Sequence, residues 1–128
     1  MRLRLIRHAT LWVNLAGKDT LVDPMLGPVS GFVVRAPEEP SFYVAGDTVW
    51  CPEVEQALRT YEPDVVEVNA GAAQFIDSDP ITMDADDVAQ VARAAPRAKV
   101  VAVHMEAINH CVLTRIRLGE AIQHEGPR

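Results

Sequence analysis

The stretch Phe42-Tyr43-Val44-Ala45-Gly46-Asp47-Thr48 joins a short apolar run to a polar loop. The same arrangement recurs at Val65-Val66-Glu67-Val68 and at Val100-Val101-Ala102-Val103, which are also followed by polar residues. Apolar runs of this length that end at turn residues are typical of buried strands. We therefore predict strands over residues 42–45, 65–68 and 100–103. The last run is apolar throughout, which suits a strand that is covered on both faces.

Helices are predicted between and after these strands. Apolar residues with the spacing i, i+3, i+4, i+7 occur at Val54, Ala57, Leu58 and Tyr61, and again at Val88, Val91, Ala92 and Ala95. This spacing places side chains on one face of an amphipathic helix. The second helix begins near Thr82 or Asp84, because acidic residues suit the first turn of a helix. A last helix, capped by Thr114, has a predicted inner face of Leu118, Ala121 and Ile122.

Residues 42–103 therefore alternate strand, helix, strand, helix and strand. Crossovers of this kind are nearly always right-handed and make the strands parallel neighbours or near-neighbours. Ligands of such sheets bind just past the carboxyl ends of the strands. Since Asp47, Asn69 and His104 each follow one of the three strands, we expect their side chains to converge at one edge of the sheet.

The first third of the chain has the pattern of antiparallel strands. Inward and outward side chains alternate at residues 2–5 and 11–15, and further strands are predicted at 20–22 and 31–35. The third of these strands stops at Pro24, which cannot donate to a ladder. The predicted fold class is α/β, of the α+β sandwich type, with N-terminal antiparallel strands followed by a β-α-β-α-β unit.

Composition limits the class of protein. The chain has 128 residues, of which 48% are hydrophobic, and a net charge of −6. These values are those of one ordinary globular domain. A nucleic-acid partner would require a basic face, and no stretch approaches the roughly 18 apolar residues of a membrane span. Two cysteines and a charged start without a signal peptide predict a cytoplasmic location, with neither nucleic-acid nor membrane partners.

Several motifs resemble those of the metallo-β-lactamase superfamily. They are Leu21-Val22-Asp23-Pro24, Ala45-Gly46-Asp47-Thr48, and Val103-His104 after an apolar strand. The segments 8–10, 69–73 and 104–110 are similar to a branch of stand-alone metal-dependent hydrolases related to ascorbate-6-phosphate lactonase. The resemblance covers nearly the whole chain. It implies an αββα fold of two facing β-sheets with helices outside, as a single domain over residues 1–128.

The resemblance also implies a hydrolase of small molecules that holds one or two metal ions, commonly zinc. Asp47 matches the carboxylate that bridges the two metals, and His104 matches the late histidine ligand of the second metal. These two are the expected catalytic residues. Asp23 matches an aspartate that supports a ligand, and Asn69 and Glu106 are further expected supporting residues at the same sheet edge.

One part of the family's pattern is absent from the sequence. The His-x-His-x-Asp-His motif and a further ligand histidine belong between Asp23 and the strand at Gly31. Residues 24–30 fill that interval here and contain no His, Asp or Glu. No two histidines of the chain have the spacing of this motif. The four histidines are His8, His104, His110 and His124. We therefore interpret the chain as a truncated member of the family.

The consequence concerns catalysis. Catalytic zinc normally has three protein ligands, whereas Asp47 and His104 supply two, and a third could come from His110, Glu106 or Cys111. A weakly held ion does little to activate water, so we predict impaired or lost catalysis. The alternatives are a non-catalytic pseudo-enzyme or dimeric binding scaffold, and an internally deleted product of a longer gene. Apolar surface exposed at Trp12 and Met25-Leu26 would favour a homodimer.

Overall fold

The computed structural model describes residues 2–7, 10–15, 18–22, 31–106 and 109–125. Seven strands and three helices lie within these ranges. In chain order they are β1 (Arg2–Arg7), β2 (Thr10–Leu15), β3 (Lys18–Val22), β4 (Phe32–Val34), β5 (Phe42–Val44), α1 (Pro52–Tyr61), β6 (Val65–Asn69), α2 (Ala85–Ala94), β7 (Lys99–Val103) and α3 (Arg115–Glu125). This mixture confirms the predicted α/β class. None of the helices in the described ranges is long and apolar enough to cross a membrane.

The described strands form two sheets. The first has the order β1-β2-β3 with antiparallel neighbours, as the alternating pattern predicts. The second has the order β4-β5-β6-β7, in which β4 runs antiparallel to β5 while β5, β6 and β7 are parallel neighbours. Helices α1 and α2 connect the parallel strands. The β-α-β-α-β unit predicted for residues 42–103 is therefore confirmed.

The main core lies between the four-stranded sheet and its helices. Strand residues Tyr43, Val66 and Val68 are buried there. The register pairs Tyr43 with Val66 and Val66 with Val100, so these side chains share one face of the sheet. The helices and loops contribute Val54, Leu58, Met83, Val88, Val91, Met105 and Leu118. Packing on this face fixes strands β5, β6 and β7, and with them the start of each loop that follows.

The helix starts follow the capping signals in the sequence. Asp84 lies before α2, and its carboxylate accepts a hydrogen bond of 2.9 Å from the backbone N–H of Asp87. Thr114 lies before α3, and its hydroxyl accepts from the N–H of Arg117 at 3.2 Å. Each side chain satisfies one of the N–H groups that the first turn of a helix leaves unpaired. The predicted Thr114 cap is confirmed, and of the two predicted starts of α2 the structure has Asp84, which precedes the first turn as its cap.

Three predicted helix-face positions are wrong. In α1 Tyr61 is 44% exposed, although its spacing places it in the buried stripe. In α2 the side chain of Ala92 is exposed, and Ala89 is buried instead. An alanine methyl contributes little to the free energy of burial, so it does not determine how a helix is rotated. In α3 Ile122 is exposed although it was predicted to face inwards. Leu118 is the residue of this helix that packs in the core.

Strand β7 is less covered than its apolar sequence predicts. Among the described strands it lies at the edge of its sheet, and residues 100–103 are only half-buried. The strand buried on both faces is β6, where Val66, Glu67 and Val68 are all buried. An unbroken apolar run therefore does not identify the most buried strand here. Strand β6 is more buried than β7 although it carries Glu67 in its middle.

Candidate functional site

Three loops begin at the carboxyl edge of the four-stranded sheet. Because β5, β6 and β7 are parallel and in register, the residues that follow them lie at the same edge. Asp47 follows β5, Asn69 ends β6, and His104 follows β7. The backbones of β5 and β7 are separated by β6, which corresponds to about 10 Å. The parallel strand order that the prediction needs is confirmed, while convergence of the His104 side chain with the other two stays a prediction.

Asp47 and Asn69 are in direct contact. The side-chain amide Nδ2 of Asn69 donates a hydrogen bond of 2.6 Å to the Oδ1 atom of Asp47. Asn69 is 2% exposed and Asp47 is partly buried. The preceding Gly46 has φ 76°, a conformation that glycine adopts without strain, and it turns the chain so that Asp47 faces β6. An ionised acceptor makes this hydrogen bond stronger than one between neutral groups.

The same asparagine carries a buried oxygen without a hydrogen-bond partner. Its Oδ1 atom is fully buried and receives no hydrogen bond from any residue that the structure describes. The orientation of the amide follows from its neighbour, because turning it over would place Oδ1 against the Asp47 carboxylate. Leaving a buried acceptor unsatisfied costs about 1–3 kcal/mol. The Asn69 amide therefore holds the Asp47 carboxylate with its N–H side, and its carbonyl side is buried without a hydrogen bond from the described residues.

His104 lies in a strained turn directly after β7. Its φ is 68°, and its side chain is buried. Glu106 with φ 58° and Ala72 with φ 45° lie in loops at the same edge. A residue other than glycine in this region costs on the order of 1–3 kcal/mol, and such residues cluster at functional sites. Among the described residues, positive φ also occurs at Glu38, Glu62 and Asp77. The strained backbone therefore includes the predicted site but is not confined to it.

Cys111 contacts both ends of His104. Its Sγ donates a hydrogen bond of 3.3 Å to the His104 carbonyl oxygen and lies 3.9 Å from the ring atom Nδ1. Gly71 makes this approach possible, since a Cβ atom there would lie 2.7 Å from Sγ and 2.8 Å from the His104 oxygen. The backbone N–H of Leu113 also donates to the Gly71 oxygen at 3.0 Å. From the sequence, Cys111 could be a third ligand or a packing or supporting group, and nothing in the sequence indicated which atoms it contacts.

The other predicted site residues have different surroundings. Glu106 accepts a hydrogen bond of 2.9 Å from the Nε atom of Arg115, and both side chains are exposed. The ring of His110 stacks on Phe75 with 5.4 Å between centroids. Asp23, the predicted supporting aspartate, lies outside the described residues, and so does the Met25-Leu26 part of the predicted dimer surface. Supporting roles for Glu106 and Asp23 stay predictions.

A separate cavity lies beside the loop that carries Asp47. Its volume is about 510 Å³, and Thr48 and Cys51 contribute to its wall together with Tyr43 and Arg35. Burial, with a smaller contribution from the neighbouring Cys51, raises the pKa of the Tyr43 hydroxyl. Asp47 is not among the described residues that line it. The cavity is therefore adjacent to the candidate site but distinct from it.

The described residues do not by themselves fit a catalytic zinc ion. A zinc ion of this kind needs three protein ligands and one open position. Within the described ranges, no group of three or more His, Cys, Asp and Glu side chains converges closely enough to hold a metal. Asp47 offers a carboxylate, and Asn69 turns the N–H side of its amide, not its oxygen, towards it. This is fewer ligands than zinc-assisted hydrolysis requires.

Known proteins are similar to this chain across most of its length. Residues 6–105 match the family described as beta-lactamase superfamily domain. The UPF0173 protein YddR of Bacillus subtilis (strain 168) is 40% identical over 102 residues, which make up 80% of this chain and 40% of YddR.

Two solved structures share the fold. The first is an isothiocyanate hydrolase from Delia radicum gut bacteria, with a TM-score of 0.72 and 38% identity over 80% of this chain and 40% of that chain. The second is a possible metal-dependent hydrolase from Veillonella parvula DSM 2008, with a TM-score of 0.71 and 33% identity over 85% of this chain and 38% of that chain. The chain thus spans about 40% of the length of these relatives.

Sequence similarity, sheet order and structural likeness agree at the level of the superfamily. The narrower branch related to ascorbate-6-phosphate lactonase stays a prediction. With a family match over residues 6–105 and two similar hydrolase structures, the chain belongs to the beta-lactamase superfamily and has the fold of its metallo-β-lactamase-type hydrolases.

Proposed function

We propose that the chain is a metallo-hydrolase relative that keeps the back half of the active site and has little or no hydrolytic activity by itself. Asp47 and His104 take the family's metal-facing positions in this proposal, with Asn69 as a supporting residue. The observation that carries it is the 2.6 Å hydrogen bond between Asn69 and Asp47. It holds the carboxylate in place at the sheet edge, while the sequence lacks the His-x-His-x-Asp-His motif that would supply the remaining ligands.

The physical reason for low activity is the number of ligands. Metal-assisted hydrolysis needs an ion in fixed geometry that lowers the pKa of a bound water towards 7. Asp47 and His104 are two ligands, and neither Glu106, which pairs with Arg115, nor His110, which stacks on Phe75, joins them within the described residues. Two ligands hold zinc weakly. Without a firmly held ion, the site retains binding groups but lacks a nucleophile.

Substrate classes for a test come from the relatives. Lactones and phosphodiesters follow from the resemblance of the motifs, and isothiocyanates follow from the name of the similar hydrolase. All are small molecules, and a net charge of −6 does not favour a nucleic-acid substrate. A cytoplasmic location and zinc as the family's metal belong to the same proposal.

The direct test is turnover by the purified 128-residue chain with zinc in excess. A lactone, a phosphodiester and an isothiocyanate are incubated with the chain, with the Asp47→Ala and His104→Ala variants, and with buffer that contains the same zinc. We expect all three proteins to match the buffer. Turnover by the wild-type chain that disappears on chelation and in both variants would contradict the proposal. His110, Glu106 or a second subunit would then have to complete the site.

A non-catalytic binding scaffold is the second candidate, and exposed apolar side chains favour it. Phe75 is 62% exposed and Ile76 is 95% exposed in the loop after Ala73. Apolar patches on a protein surface mark interaction sites when they are contiguous. Trp12, which the sequence places in a dimer surface, lies in β2. The predicted homodimer belongs to this second candidate.

A further inference from the structure

The thiol of Cys111 lies against the ring and the backbone of His104. Sγ is 3.3 Å from the His104 carbonyl oxygen, to which it donates, and 3.9 Å from the ring nitrogen Nδ1. Both residues are closely packed. His104 is buried and has φ 68°, and both residues lie so close to Gly71 that a side chain at position 71 would clash with them. The contact is therefore a fixed feature of the fold.

Because a thiol has a single hydrogen, it limits whether Sγ donates to Nδ1 of His104 or accepts from it. We assign that hydrogen to the shorter contact of 3.3 Å, because the His104 carbonyl oxygen can only accept. Sulfur can then act towards Nδ1 only as an acceptor, which requires the hydrogen of the neutral imidazole to be on Nδ1. The lone pair is in that case on Nε2. Which nitrogen carries the hydrogen is set by the hydrogen bond that the other one makes.

We propose that Cys111 is a positioning residue that holds the neutral His104 ring in the Nδ1–H tautomer, so that Nε2 is the nitrogen that accepts a ligand. The ligand class is a metal ion or a hydrogen-bond donor. Ligating histidines generally have the other ring nitrogen oriented by a neighbouring acceptor, and sulfur takes that part here. The inference rests on the proposed role of His104 as a site residue.

The experiment reads the tautomer directly, without metal or substrate. The full chain is labelled with ¹⁵N, and long-range ¹H–¹⁵N spectra of the histidine rings are recorded at about pH 8.5, where an ordinary imidazole is neutral. We expect His104 in the wild-type chain to be mainly the Nδ1–H form. In Cys111→Ala the ratio of the Nδ1–H form to the Nε2–H form should fall roughly two- to fivefold, in line with a weak hydrogen bond.

Two further variants separate positioning from packing. Cys111→Ser keeps a group that donates one hydrogen and accepts another, so it should retain more of the Nδ1–H form than Cys111→Ala. Cys51→Ala removes the other half-buried thiol, whose Sγ lies 3.9 Å from the Thr48 hydroxyl, and should leave the His104 ring unchanged. The amide signals of Gly71 and Leu113 report whether each variant keeps the fold.

A wild-type His104 ring that is mainly the Nε2–H tautomer would overturn the proposal without any variant. The proposal would also be overturned if Cys111→Ala and Cys51→Ala changed the ratio of the Nδ1–H form to the Nε2–H form by the same amount. These outcomes differ from a failure of the proposed function, which would appear as chelator-sensitive turnover in the hydrolysis assay while the tautomer result stood.

Discussion

Replacing Asn69 with aspartate should lower the free energy of unfolding by about 2–4 kcal/mol at pH 7. The variant exchanges the amide that donates to Asp47 for a second carboxylate at the same 2.6 Å contact. It loses a charge-assisted hydrogen bond and gains a repulsion between like charges in a buried position. Chemical denaturation with urea measures the change.

The pH dependence of this variant has a definite sign. Protonation of one carboxyl removes the repulsion and restores a hydrogen bond, so the loss should be largest near neutral pH and should shrink as the pH falls. In the wild-type chain an amide faces Asp47 at this position, so this contact should not produce the recovery.

Exchanging both residues is the matched control. In Asp47→Asn with Asn69→Asp, an amide again faces a carboxylate, and most of the lost stability should return at pH 7. A double variant no more stable than Asn69→Asp would show that the two side chains do not form the contact seen here.

Leu58→Ala should cost about 2–5 kcal/mol of stability, the range for a large apolar side chain removed from a packed core. Leu58 is 2% exposed and packs in the main cluster between α1 and the four-stranded sheet. A domain of this size is typically stable by about 5–15 kcal/mol, so the variant would lose a substantial part of that reserve. Thermal and urea unfolding measure it.

Tyr61→Ala is the control on the same helix. The sequence places Tyr61 in the same apolar stripe as Leu58, but the ring is 44% exposed and lies under the guanidinium of Arg35 at 5.8 Å. We expect less than half of the Leu58→Ala effect. Equal losses would mean that α1 packs in a different rotation.

Much of the fold could be predicted because its signals are local or follow from chain connectivity. The helix caps at Asp84 and Thr114 need only a side chain and an N–H three residues away. Parallel neighbours follow from two helical crossovers, and this placed Asp47, Asn69 and His104 at one edge. Burial of particular helix positions was harder, because Ala92 and Ala89 differ only in how their helix is rotated against its neighbours.

In the candidate site, too, one contact could be predicted from the sequence and another could not. The contact between Asp47 and Asn69 follows from strand order, which the apolar runs reveal. The contact between Cys111 and His104 depends on a backbone turn with positive φ at a histidine and on the missing side chain of Gly71. Neither feature has a signal in a single sequence, since positive φ outside glycine is set by tertiary contacts. The sequence therefore identified the residues but not the thiol's role.

The zinc content of the purified chain tests the central claim most directly. The chain is prepared without added zinc, and the metal is measured per mole of protein by mass spectrometry, with Asp47→Ala and His104→Ala beside it. An incomplete ligand set predicts far less than one equivalent in the wild-type chain, and no difference between it and the variants. About one equivalent in the wild-type chain, lost in both variants, would contradict the account and show that other groups complete the site.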